Sequence, residues 1–297
     1  MLQVRQDPTR KLENIRSVMG GWKVKGRVRF VEWVAAPVLG TALDSPVTGQ
    51  KVETVLSSKF CTGRHLQLFN QTVRLLEEVE AEEGEEGGGA AKKRKVEKIT
   101  KPYYGKCKRL ADYREDVRLL KKLSAIFPEI VEISKVLFLL PESQNNKNNL
   151  TEECRPDNQI RLIGTIIEAV TSLEKGNHLL VQGFPLHTRL TTTIFYCLAA
   201  LFQEVGFVKP SQQDDFIFLS NFLGSSNTTA EDSIASLERI LTVLISHKGS
   251  QQVLSVWPVE DLVQDNIYQE IILFNQTRIK EKIMYLTSHL ETKPEQK

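Results

Sequence analysis

Side chains able to do chemistry are sparse in this sequence, and the first place to look is a strand end. HLLVQGFP (178–185) reads as a buried strand running out into a turn, with Gln182 as its last residue. In an open α/β sheet, ligands gather at the carboxyl ends of strands, so Gln182 stands where a reactive group would be sought. A glutamine offers an amide donor and acceptor but does not titrate near neutral pH, so it cannot serve as a base. The five histidines are scattered, and no HExxH, GxSxG, GxGxxG or Walker pattern occurs. Hydrolase and P-loop chemistry are therefore unsupported. The four cysteines (Cys61, Cys107, Cys154, Cys197) lie far apart without paired metal-ligand spacing. They read as reduced thiols, and no metal site is expected.

A second kind of chemistry, phosphate and base contact, is suggested by KKRKVEKITKPYYGKCKR (92–109), which holds nine basic residues. Lys106, Lys108 and Arg109 would meet phosphates, while Tyr103 and Tyr104 could stack on bases. Within it, Lys92, Lys93, Arg94 and Lys95 form a compact basic run of the kind nuclear import receptors read, which places the chain in the nucleus and also allows the cytoplasm. WKVKGRVRF (22–30) alternates basic and apolar residues as a half-buried strand would; a charged edge strand is its simpler reading, phosphate contact the other.

The whole chain of 297 residues is long enough to bury a proper core, and its net charge of +2 gives no global field toward nucleic acid. No apolar run approaches the ~18 residues that span a bilayer, so no membrane partner is expected. The N-terminal stretch lacks an apolar core and does not read as a signal peptide. The sequons at Asn70, Asn149, Asn227 and Asn275 accordingly read as chance matches.

Positioning falls to a helix–strand rhythm. Residues 1–76 read as an N-terminal segment, helical with the basic strand, and an amphipathic helix over 64–80 spans its end. Residues 77–101, acidic, then glycine-rich, then basic, read as a disordered linker. In the domain 102–297, helical pattern covers 111–127 and an apolar strand 133–141. The helix over 156–176 carries a stripe of Ile160, Ile163, Ile167 and Val170. The strand of Gln182 comes next, followed by a helix over 188–204 and two strands, 205–210 and 215–222, joined as a hairpin. A helix over 229–249 and a long helix after Pro258 complete the chain. This order predicts an α/β sheet, mostly parallel, with an antiparallel hairpin at one edge.

GNHLLVQGF, TRLTTTIFYCLAALFQEVGFVKP and DDFIFL, in that order, resemble the end of the RrmJ/FtsJ-like 2′-O-methyltransferase fold. GSQQVLSVWPVEDLV (249–263), the 48–76 region and the helix over 156–173 extend the likeness to the eukaryotic cap methyltransferases. It is closest to the non-catalytic C-terminal half of the branch that methylates the second transcribed nucleotide. The resemblance implies a degenerate Rossmann-like methyltransferase fold. It also implies a catalytic half, in cis or in trans, that precedes this region and binds S-adenosylmethionine, so the chain reads as starting after that half. Capped mRNA would be a further partner.

The family places a lysine at the end of the strand GGHxxxK, an aspartate after the preceding strand and a glutamate opening the hairpin strand. On this chain those positions hold Gln182, Pro141 and Asp214, so one of the three keeps its chemistry. WVAAPVLGTALD (33–44) is similar to the cofactor-cradling A-P-G-x-F loop, with Ala36, Pro37 and Gly40 as counterparts. Val38 and Leu39 intrude where glycine would let the backbone approach a ligand. The resemblance thus implies no bound S-adenosylmethionine in this chain and a role supporting the catalytic half and holding capped RNA. The alternative is an active RNA 2′-O-methyltransferase drawing on displaced residues such as His178, Asp214 or Lys209, and a third reading is an unrelated α/β interaction protein.

Overall fold

The computed structural model describes residues 8–19, 31–35, 37, 47–49, 60–86, 107–109, 135–139, 156–184, 186–208, 216–224, 228–247, 252–255 and 259–292. Helices among them are α1 (Pro8–Met19), α2 (Gly63–Glu86), α3 (Pro156–Thr171), α4 (Arg189–Ala199), α5 (Thr228–His247), α6 (Val259–Gln264) and α7 (Asn266–Thr292). Strands are β1 (Val31–Ala35), β2 (Val47–Gly49), β3 (Cys107–Arg109), β4 (Val136–Leu139), β5 (His178–Gln182), β6 (Phe202–Val208), β7 (Phe216–Phe222) and β8 (Gln252–Ser255). None of these helices is long and apolar enough to cross a membrane.

Six strands form one sheet in the order β1-β6-β7-β5-β4-β3, and β2 pairs with β8 in a small sheet of its own. The fold is mixed α/β, but the expected parallel majority is not found. Of the five pairings in the large sheet, only β4–β5 is parallel. The direction of the strands is more regular than that count suggests. Because β7 is antiparallel to both β5 and β6, the strands β4, β5 and β6 all run one way, with β7 reversed between the last two. The β6–β7 hairpin is present but not at an edge, because β1 from the N-terminal segment pairs antiparallel along β6, Val31 opposite Val208. An added strand satisfies backbone groups that an edge would leave open.

Local chemistry explains the start of α4. Thr188 caps α4: its hydroxyl accepts from the Thr191 N–H at 3.1 Å while Thr191 reaches back to the Thr188 N–H, a capping box made of two threonines. Every α4 residue from Leu190 to Ala199 is buried, as befits a helix apolar all round. The helical pattern predicted α4 through Glu204, yet the chain turns at Ala200 and is already strand at Phe202. Pairing overrides the helical period here. Phe202 lies opposite Phe222 in the ladder, and their rings sit 5.5 Å apart.

On α3 the buried stripe is Leu162, Ile163, Ile166, Ala169 and Val170, with Ile160 and Ile167 at its margins, one step round from the predicted face. α2 runs to Glu86, ten residues into the segment expected to be a disordered linker. Glutamate is a good helix former, and extending an existing helix needs no new nucleus. Residues 87–101, the basic strand over 22–30 and the helix over 111–127 lie outside the described residues.

One core gathers side chains from α3, β5, α4, β6, β7, α5 and the first half of α7. A second joins Ile15 of α1 and Leu66, Leu68, Phe69 and Leu75 of α2 to Ile279, Ile283 and Leu286 of α7. The helix α7 therefore belongs to both, and its middle passes the end of β5.

Candidate functional site

Gln182 closes β5, half-buried and in register with Phe216 of β7. The chain then turns at Gly183, whose φ of +71° is a left-handed conformation that glycine adopts without a Cβ clash. Phe184 follows with its side chain fully buried, its ring 5.4 Å from that of Phe195 on α4. A turn buried in this way must find partners for its carbonyl groups.

Those partners come from α7. Arg278, only 5% exposed, donates from Nη1 to the Phe184 carbonyl at 2.8 Å. Its Nη2 makes a longer contact of 3.4 Å to the Gly183 carbonyl. One turn earlier, the Asn275 amide donates to the carbonyls of both Leu186 and Phe60 at 2.8 Å. Thr192 adds a bond from its hydroxyl to the Leu186 carbonyl at 3.2 Å, and Gln276 donates to the Thr62 hydroxyl at 2.8 Å. Spacing of three places Asn275 and Arg278 on one helix face, aimed at the same turn. The carboxyl end of β5 is thus strapped to α7.

His178 occupies the opposite end of β5. Four residue steps of extended chain separate it from Gln182, about 13 Å at strand rise, so the two do not share a site. Its Nδ1 accepts from the Asn221 N–H at 3.1 Å, and its ring stacks on Phe218 at 5.4 Å. Burial, and after it the nearby Lys135 ammonium, holds the imidazole pKa below its ordinary value.

Of the remaining predicted residues, Pro37 is buried, Lys108 lies in β3, and Arg109 ends that strand with an exposed side chain. Pro141, Asp214, Ala36, Gly40, Lys209, Tyr103, Tyr104, Lys106, Lys92, Lys93, Arg94 and Lys95 lie outside the described residues. Cys197 is fully buried, and burial pushes its thiol pKa up, which makes it an inert apolar filler rather than a nucleophile. Cys61 is buried too. Among the described residues no three His, Cys, Asp or Glu side chains group as a metal site would require.

Asn275 and Arg278 were not legible as site residues. In the sequence FNQTRIKEK they sit within an ordinary polar helical run, and Asn275 is marked there only by its sequon. In the fold its side chain is fully buried with both amide protons engaged, so it is no surface acceptor for a glycan. Comparison with known proteins gives no match: no family model fits the chain, and no curated protein is similar to it.

Proposed function

We propose that this chain is a non-catalytic, Rossmann-like methyltransferase module of an S-adenosylmethionine-dependent mRNA cap 2′-O-methyltransferase acting on the second transcribed nucleotide. The observation that carries the reading is the end of β5. Gln182 stands there in place of the family's lysine, and the turn behind it is held by Arg278 and Asn275 instead of lying open. A lysine would present a cation, while the glutamine amide presents none, and Pro141 offers no side-chain acceptor where the family has an aspartate. Groups that act as a unit fail together, so losing two of three abolishes transfer.

Further support comes from the strand run β4, β5, β6 in one direction with β7 reversed between the last two. It fits a sheet in which three strands share one direction and β7 alone is inserted against them. In this role the module steadies the catalytic half and holds capped RNA through Lys106, Lys108 and Arg109 with Tyr103 and Tyr104, and the run Lys92–Lys95 directs it to the nucleus. The enzyme alternative loses one member of its displaced set, since His178 stands at the far end of the strand from Gln182.

Calorimetric titration of S-adenosylmethionine into the folded chain, followed by a methyl-transfer assay on capped RNA, tests the proposal. No binding and no transfer are expected, and stoichiometric binding with transfer would overturn it.

A further inference from the structure

The joint between β5 and β7 carries an irregularity that the ladder itself does not need. Leu179 pairs with Leu219, yet Phe222 donates to the Asn177 carbonyl at 2.8 Å and accepts from the Gly176 N–H at 2.8 Å. Counted to the Asn177 carbonyl, β7 has two residues after Leu219 where β5 has one before Leu179, a local β-bulge at Ser220–Asn221; the bond from the Gly176 N–H to Phe222 then restores the register. On its other side β7 keeps an unbroken register with β6, from Val205 opposite Leu219 to Phe202 opposite Phe222. The extra residue is therefore absorbed wholly toward β5. Asn221 takes it up at φ +59°, the only described residue other than glycine with positive φ. Asparagine tolerates that region better than most residues but does not choose it unaided.

The bulge turns the Asn221 N–H away from the regular ladder, and the His178 ring receives it. An N–H can donate only to an unprotonated nitrogen, so at 3.1 Å Nδ1 must be the acceptor and the ring proton must sit on Nε2. The Ser220 hydroxyl approaches the same nitrogen at 3.4 Å, and Phe218 stacks beneath the ring with 22° between planes. Gly176 lies on the other side at φ +85°, a conformation that favours glycine, and a Cβ there would make only ordinary contact, 3.7 Å from Asn221 Oδ1.

We propose that His178 is a proton-sensitive clamp on this bulge: the neutral ring holds Asn221 in its left-handed conformation, and protonation at Nδ1 releases it. A second proton would set two N–H groups against each other at hydrogen-bond distance. The release would reach the segment Leu223–Gly224 that leads on toward α5. β7 faces the ring with Ser220, Asn221 and Phe218, none of which titrates. The charge that acts on it is Lys135, ahead of β4, which opposes a second cation. Glu204 of β6, opposite Ser220 and exposed, is a strand further away.

The direction of the pH effect follows. With the folded-state pKa below the ordinary 6.5, the clamp contributes fully above pH 6.5. Its contribution falls as pH drops from there toward the lowered folded value and is constant below it.

Nitrogen-15 NMR of the full chain labelled at histidine tests the clamp, together with amide exchange at Asn221. Expected are a protonated Nε2 and a bare Nδ1 at pH 7.5, and protection of the Asn221 amide that falls about tenfold as His178 titrates, the equivalent of one lost hydrogen bond. In His178→Gln, whose side-chain carbonyl can accept but cannot titrate, that pH dependence should vanish. A proton on Nδ1 at neutral pH, or Asn221 protection that ignores the titration of His178, would overturn the proposal. Those two readings come from the native chain and stand even if the variant does not fold.

Discussion

Arg278 Nη1 and the Phe184 carbonyl lie 2.8 Å apart, joining the middle of α7 to the turn after β5 across 94 positions of sequence. A guanidinium bound to main-chain carbonyls inside a protein holds backbone where an aliphatic side chain could only fill space. Replacing it with methionine keeps the stem and removes the fork. Arg278→Met should lower stability by about 1.5–3 kcal/mol, the range for hydrogen bonds to charged groups. Urea unfolding reads this as a lower midpoint at unchanged slope. Arg278→Lys should fall nearly as far, since an ammonium lacks the planar fork. A midpoint within error of the parent would mean that solvent reaches the Phe184 carbonyl, and that the strap contributes nothing.

Asn275 makes a sharper case because both of its amide protons are committed, to Phe60 and to Leu186. Asn275→Asp has nearly the same shape but turns two donors toward acceptors into a carboxylate facing two carbonyl oxygens. It should cost about 3 kcal/mol or more at pH 7, well beyond Asn275→Leu at about 2 kcal/mol, which leaves the carbonyls merely unpaired. The order of the two variants is the test. Protonation of the new carboxyl should narrow the gap in acid, measurable as unfolding midpoints converging at low pH.

What could be read in advance and what could not divide along the line between local and distant interactions. The stop of α3 before Gly176, the start of α4 at Thr188 and the buried run of β5 are written in neighbouring residues, and each matches its expected position within a few residues. Phe202 was misplaced because its helical neighbours are apolar at the right spacing, while the partner that makes it strand, Phe222, lies twenty residues on. The pairings β1–β6 and β2–β8 bridge still longer distances and leave no periodic trace. Arg278 is the extreme case. Its burial depends on a turn 94 positions away, and nothing within FNQTRIKEK distinguishes it from a solvated arginine. The chemistry of Gln182 was legible as a residue type, whereas the strap behind it required the fold.

Tyr196 predicts an alkaline effect. Its hydroxyl donates to the Leu262 carbonyl at 2.8 Å, and burial above all, then Asp265 and Tyr268, pushes its pKa far up. A raised folded-state pKa means that the stabilisation is complete below the ordinary value of 10.0 and is lost as pH rises past it. Stability should therefore decline between about pH 9.5 and 11 as the unfolded phenol ionises. Tyr196→Phe should cost about 1 kcal/mol at neutral pH and flatten that decline. Denaturant midpoints of the two proteins across this range give the answer; parallel curves would assign the alkaline loss to other groups.

Gln182→Lys restores the residue type that the family resemblance expects at the end of β5, and on the proposed reading it should restore nothing else. The lysine would return a cation to a half-buried strand end. Pro141 still offers no carboxylate, and the following turn remains strapped through Phe184 and Leu186 to α7. Catalytic groups that act as a unit do not recover singly, so methyl transfer to capped RNA should stay at background in the variant. The assay counts labelled methyl groups on the RNA, with folding checked by circular dichroism. Transfer above background would show that the fold has kept a working cofactor site and lost only its lysine, which would replace the supporting module with a silenced enzyme. Background transfer from a folded variant would leave the strap formed by Arg278 and Asn275 as the better account of what the end of β5 now does.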